Sequence, residues 1–218
     1  MTLVAGTLID EARDMHVSFD ARHHPPKALL RELDRYQVDL LSRLLQINED
    51  YLSSTLSTLL PLAVFADGIG ISADHIPTRA EAIDTHGDAH DLTLLPWAYR
   101  QDPAPRIAGY VNSSRLYLRG EAAGWTHFTR IDLFLQPRPT ALTAFTGTGS
   151  ALTIRDGARD ALVTRVARFM AFRGHTEVGT PSPNTREFDA LWREAEARVV
   201  QEVANMRSGE TFSVREVW

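Results

Sequence analysis

Phe128-Thr129-Arg130-Ile131-Asp132-Leu133-Phe134-Leu135-Gln136 alternates with a period of two. Ile131, Leu133 and Leu135 share one face, and Arg130, Asp132 and Gln136 share the other, with Phe134 the exception. Side chains of a strand point alternately to its two faces, so this stretch predicts a strand with one apolar and one polar side. Just before it, Ile107–Val111 and Arg115–Arg119 flank Asn112-Ser113-Ser114, a turn-forming tripeptide, and together predict a hairpin. Upstream, Gly and Pro recur at Pro77, Gly87, Pro96, Pro103, Pro105 and Gly109, punctuation that suits short strands and loops. Two-sided strands of this kind belong to an antiparallel sheet with one wet face.

On both sides of this β region the period lengthens to that of a helix. Leu8, Ala12 and Met15 recur at helical spacing. After His23-His24-Pro25-Pro26, where proline fits a first helical turn, Leu29, Leu33, Tyr36, Gln37, Leu40, Leu41, Leu44 and Leu45 mark a long amphipathic face. A shorter helix is expected at about 49–59, ending at Pro61. Downstream, Asp156 is a candidate N-cap for a stripe of Ala158, Leu162, Val166, Phe169 and Met170, with Gly174 as its stop. Asn184, with Glu187 three residues on, has the pattern of a capping box, and Ser182 before Pro183 competes for that cap. Phe188, Leu191, Trp192, Ala195, Val199 and Val203 then form a second stripe. Phe169, Met170, Phe172, Phe188 and Trp192 read as core residues of two packed helices.

The fold expected is therefore α+β and mainly α. Helices at 1–60 and 151–207 form one bundle, residues 61–150 are a β-rich insertion, and 208–218 are an extended arm.

Composition bounds the function. The chain has 218 residues, 44% of them hydrophobic and 23% charged, enough to bury a core without staples. With no Cys there is no disulfide framework, thiolate zinc site or Cys nucleophile, which fits folding in a reducing cytosol. Neither a signal peptide nor a membrane-spanning run is expected. The net charge of −5 argues against a dedicated nucleic-acid binder. Acid is concentrated in residues 48–91, where eight acids (Glu49, Asp50, Asp67, Asp74, Glu81, Asp84, Asp88, Asp91) meet one base, Arg79. Such a segment reads as a solvated loop surface, or as one that must not stick to polyanions.

Motifs for catalysis are sparse. His86 and His90 have i, i+4 spacing, which would chelate zinc on a helix. Gly87 lies between them, no apolar face accompanies them, and no Glu follows His86 as a general base, so a solvated acidic loop is the expectation. Gly147-Thr148-Gly149-Ser150 lacks the Lys and glycine spacing of a phosphate loop and reads as a connector. Asp67-Gly68-Ile69-Gly70 lacks the third Gly of a dinucleotide fingerprint. No Gly-x-Ser-x-Gly elbow occurs. Arg115, Tyr117 and Arg119 are the one basic–aromatic cluster on a strand face. Nothing calls for catalysis, a metal or a cofactor.

The C-terminus carries the most pointed local feature. Ser208-Gly209 leads into Glu210-Thr211-Phe212-Ser213-Val214-Arg215-Glu216-Val217-Trp218. Phe212, Val214, Val217 and Trp218 either fold back on their own domain or dock on another subunit, as large apolar groups are seldom left to water. An extended segment docks by adding a strand to a sheet edge, with alternate side chains in pockets and Trp218 as anchor.

Two stretches and the element order resemble the head–tail connector (adaptor) proteins of tailed bacteriophages. The stretches are Leu8-Ile9-Asp10-Glu11-Ala12-Arg13-Asp14-Met15 leading into the Leu-rich second helix, and Arg155-Asp156-Gly157-Ala158-Arg159-Asp160-Ala161-Leu162-Val163 continuing to Ala167–Gly174. The order is a helical bundle interrupted by β structure and finished by an arm. Together they cover about half the chain. The β-rich middle is larger than in the smallest connectors of this type.

The resemblance implies a structural, non-enzymatic virion protein at the neck, present in the host cytoplasm during assembly. It implies a ring of copies, commonly twelve, between the portal protein and a downstream neck or tail protein, with no membrane partner. DNA would pass through without sequence-specific binding. Carried onto this sequence, Phe212, Val214, Val217 and Trp218 would contact the portal. Asp67, Asp74, Glu81, Asp84, Asp88 and Asp91 would line or rim the channel, where negative walls let DNA slide. Alternatives are a tail-completion or tail-terminator protein, expected to be β-dominated, and a DNA-packaging or DNA-binding protein, which needs a basic recognition helix. A His86/His90 metal hydrolase is the enzymatic alternative.

Overall fold

A computed structural model describes residues 2–19, 21–60, 67–101, 108–112, 114–119, 122–173 and 183–211. The chain is α+β, 44% helical and 26% strand. It divides into two compact units: residues 1–51 with 139–218, and residues 52–138.

The first unit carries four α-helices among the described residues: α1 (Ala5–Asp14), α2 (Pro26–Ile47), α3 (Arg159–Arg173) and α4 (Thr185–Thr211). Pro26 occupies the first turn of α2, where its missing N–H leaves no gap in the helical ladder. The α2 stripe is buried as its spacing requires, with Leu29, Leu33, Leu40 and Leu44 wholly inaccessible. Also buried in this unit are Leu8 and Ile9 of α1, Leu162, Val166 and Met170 of α3, and Phe188, Val199 and Val203 of α4. Each such aliphatic side chain stabilises the fold by about 1.5–3 kcal/mol on burial. Asn184 caps α4 through Oδ1, which accepts the N–H of Arg186 and Glu187 at 3.2 and 3.4 Å. Asp156 instead begins a 3₁₀ turn, Asp156–Ala158, that feeds α3. Phe172 departs from the expected core: it is 59% exposed, because it lies off the Leu162–Val166–Met170 face and beside Arg168. Leu191 is likewise exposed on α4.

The connector 139–153 is pinned to these helices by polar groups. Buried Gln37 donates from Nε2 to the Thr140 carbonyl at 3.0 Å. Asp34 Oδ1 accepts the Leu142 N–H at 2.8 Å. The Ser150 carbonyl accepts the Ala5 N–H at 2.8 Å and the Phe145 carbonyl accepts the Gly6 N–H at 2.9 Å, satisfying donors that the start of α1 leaves unpaired. A Cβ on Gly6 would lie 2.7 Å from the Phe145 carbonyl oxygen, so the close approach requires glycine. Gly147-Thr148-Gly149-Ser150 is thus a turn that anchors α1, with Gly147 and Gly149 at positive φ.

Among its described residues the second unit holds two four-stranded sheets. One has the order β1 (Ser54–Leu59), β8 (Phe128–Pro137), β3 (His75–Asp84), β4 (Ala89–Asp91) and is antiparallel throughout. The other has the order β2 (Ile69–Gly70), β7 (Arg115–Leu118), β6 (Ala108–Asn112), β5 (Thr93–Pro96), with β5 and β6 parallel. Ile131, Leu133 and Leu135 of β8 meet Leu116 and Leu118 of β7 in one core, together with Ala80, Ala82, Ile69 and Trp125.

Three boundaries differ from the sequence reading. Residues 54–59 form β1 rather than the end of a helix over 49–59, because Ser-Thr-Leu-Ser-Thr-Leu offers a two-residue period that β8 can pair. The β unit therefore spans 52–138 instead of 61–150. The chain enters it through Leu52 at φ 65°, a left-handed conformation that costs a non-glycine residue about 1–3 kcal/mol. Third, α4 continues through Ser208 and Gly209 to Thr211, where a hinge and the start of an extended arm were expected.

Candidate functional site

The acids of the 67–91 segment gather mainly on the first sheet. Asp74 precedes β3, Glu81 and Asp84 lie on β3, Asp88 in the β3–β4 turn, and Asp91 on β4. Asp67 stands apart, beside β2, and its carbonyl accepts the Arg115 guanidinium. Register sets Asp91 opposite Glu81 and Glu81 opposite Asp132, a row of three carboxylates across β4, β3 and β8. Like charges directly opposite one another destabilise a sheet unless compensated. Arginines one pleat repeat away supply the compensation. Arg79 Nε is 3.7 Å from Glu81 Oε1, and Arg130 Nη2 is 3.1 Å from Asp132 Oδ2. Asp132 is 8% exposed and its Oδ1 has no partner, the one uncompensated oxygen of that ion pair. Phe134 occupies the same face, under the Arg79 guanidinium at 4.0 Å, which accounts for its break in the polar alternation.

Asp84 organises the β3–β4 hairpin. Its Oδ1 accepts the N–H of His86 at 2.8 Å and of Asp88 at 3.0 Å, and its Oδ2 lies 3.0 Å from His90 Nε2. Gly87 sits at φ 91°, a turn position that disfavours a side chain. The hydrogen bond from His90, with those two N–H groups, lowers the Asp84 carboxyl from 3.8 to about 2. His86 and His90 are thus on a turn and a strand, not on adjacent turns of a helix, and His90 is engaged by Asp84. Among the described residues no group of three or more His, Cys, Asp or Glu side chains is arranged to hold a metal ion. Of the six acids expected to act together, Glu81 and Asp84 are partly buried and already partnered, while Asp67, Asp74, Asp88 and Asp91 have exposed side chains. Arg115, Tyr117 and Arg119 do not form a stacking platform either: Tyr117 is packed on Trp97, ring centres 5.0 Å apart.

In the helical unit an arginine–aromatic ladder joins three helices. Arg165 Nε donates to Glu32 Oε1 at 2.8 Å, and Arg168 Nε donates to Asp189 Oδ1 at 2.6 Å. Their guanidinium groups lie over the Trp192 ring at 5.1 and 4.5 Å. Trp192 Nε1 donates to the Tyr36 hydroxyl at 2.9 Å. Burial pushes Tyr36 up to about 12, outweighing the opposing bond from Trp192. Arg168 holds Asp189 below its ordinary value. No spacing in the sequence distinguishes these arginines from surface ones, since their partners lie on other helices. Beside α4 a cleft of about 300 Å³ opens, lined by Val199, Val203 and Met206 together with Tyr51, Arg155 and Glu202.

Phe212, Val214, Val217 and Trp218, expected to contact a portal, lie outside the described residues. Among the described residues no helix is long and apolar enough to cross a membrane. The sequence matches no protein family and no curated protein.

Proposed function

We propose that this chain is a structural ring protein of a tailed-bacteriophage neck, seated between the portal and the tail. The observation that carries the reading is the order of its parts. A helical unit drawn from both chain ends is interrupted between α2 and α3 by a separate β unit, and its last helix leads to an apolar C-terminal segment. In this reading the four helices are the bundle and residues 212–218 are the arm that seats on the portal. The cleft beside α4 supports it as a place for a side chain of a neighbouring copy, since a lining that mixes apolar residues with Arg155 and Glu202 suits an anchoring residue. Heterologous contacts that close after a fixed rotation make such a ring. In this reading the exposed carboxylates of Asp74, Asp88 and Asp91 on the first sheet face DNA without neutralising phosphates, so the duplex passes unheld. A helical share of 44% against 26% strand favours this reading over a β-dominated tail terminator.

The test is deletion of residues 212–218. The shortened chain keeps its helical circular dichroism and no longer joins portal-bearing heads. Normal incorporation of the truncated chain would overturn the arm assignment.

A further inference from the structure

We propose that the free edge of β1 is a self-association site, pairing antiparallel with β1 of a second copy about a two-fold axis near Ser57. Among the described residues the two sheets have four edges: β1 and β4 on one, β2 and β5 on the other. Three are guarded against further pairing. β4 is three residues long and carries His90 and Asp91, and β3 behind it has Pro77 and two register breaks. β2 is two residues long, and β5 ends at Pro96. Short strands, charge, proline and bulges are the usual devices that blunt a sheet edge.

β1 has none of them. It is six residues of Ser, Thr and Leu, paired in unbroken register with β8. The Leu60 N–H donates to the Thr129 carbonyl at 3.0 Å, which continues that register by one pair. Hydrogen-bonded pairs alternate along an antiparallel ladder, so Thr58, Leu56 and Ser54 also turn their backbone groups toward β8. The N–H and C=O groups of Thr55, Ser57 and Leu59 therefore point away from it. Their side chains are exposed, Leu59 by 73%. Leu56 and Leu60 pack on the core but stay only partly buried, as they would where one more strand is missing.

The edge presents backbone hydrogen-bonding groups in extended geometry, so what completes it is a strand. Its side chains carry no charge that would select a foreign sequence, and none that would repel a second copy. With Ser57 on the axis, Thr55 lies opposite Leu59 and Leu56 opposite Thr58, all uncharged pairs. The pairing also terminates itself. It consumes both open edges and leaves only guarded ones, giving a closed pair rather than a fibre. This contact is isologous and separate from the heterologous contacts of a ring, so each is measured without the other.

The experiment is sedimentation equilibrium of the full chain with two variants. Ser57→Pro removes an outward N–H that β8 does not use, and Ser57→Lys sets two ammonium groups against each other at the axis. The wild type is expected to show a dimer mass in the micromolar range, and each variant to weaken the dimer by about tenfold or more. Far-UV circular dichroism verifies that the variants fold. Hydrogen exchange on the wild type supplies a readout free of mutation: amides of Thr55, Ser57 and Leu59 gain protection as concentration rises. A wild type that stays monomeric with those amides unprotected overturns the proposal. So does a dimer whose affinity is unchanged in a folded variant. Rings that form equally well in the variants, with no dimer, would remove this contact while leaving the neck reading intact.

Discussion

Leu133→Ala is the perturbation that probes the β unit most sharply. Leu133 is wholly buried at the middle of β8, opposite Leu56 on β1 and Ala80 on β3. With alanines at 80 and 82 on the same face, β3 offers no long side chain to swing into the space left behind. The loss then combines transfer and cavity terms, and a fully buried Leu→Ala change costs about 2–5 kcal/mol. We expect about 3 kcal/mol or more, since relaxation is restricted. For a unit of roughly 60–100 residues each kcal/mol lowers the midpoint by about 4–8 °C, so a fall of roughly 12–24 °C follows. Differential scanning calorimetry reads the midpoint, and hydrogen exchange with mass spectrometry reads where protection is lost. Protection should fall across 52–138, because the cluster around Leu133 lies wholly within that unit. A midpoint change under about 2 °C, or protection lost first from α2 and α3, would refute the reasoning.

Gly6→Ala sets helix propensity, which favours alanine by about 1 kcal/mol, against a Cβ placed 2.7 Å from the Phe145 carbonyl oxygen. Backbone cannot swing aside as a side chain does, so overpacking of about 1–3 kcal/mol wins, and thermal melts should show a lower midpoint. Trp192→Phe removes the donor to the Tyr36 hydroxyl, a bond that favours the phenolate, so ultraviolet titration should find Tyr36 ionising at higher pH in the variant than in the wild type. The Asp84 carboxyl should titrate near 2 by NMR and move up toward 3.8 in His90→Ala. Its folded value is depressed, so its contribution to hairpin stability is present above 3.8 and is lost as pH falls toward 2.

Much of the fold was legible because long apolar stripes admit one period. Leu29 through Leu44 can be buried together only as a helix, and Ile131, Leu133 and Leu135 only as a strand. Ser54–Leu59 was not legible, since two leucines among hydroxyl residues suit either period and pairing with β8 decides between them. Gln37 was placed on the buried face of α2 by its spacing, but its role there, tying the returning connector to α2, depends on a partner 103 residues away. The partners of the acid-rich segment were not legible for a related reason. Charge counted along 48–91 carries no cross-strand register, and it is the register that sets Asp132 of β8, with its Arg130, beside Glu81. Phe172 was assigned to the core by its apolarity, although its place on the helix puts it with Arg168 on the outside.

Cryo-EM of the neck of tailed particles containing this chain measures the proposed role most directly. The account predicts a closed ring of this chain beneath the portal, with Trp218 and Phe212 seated on portal surface. Density for the chain elsewhere in the particle, or a neck ring in which those side chains turn back into their own subunit, would contradict it.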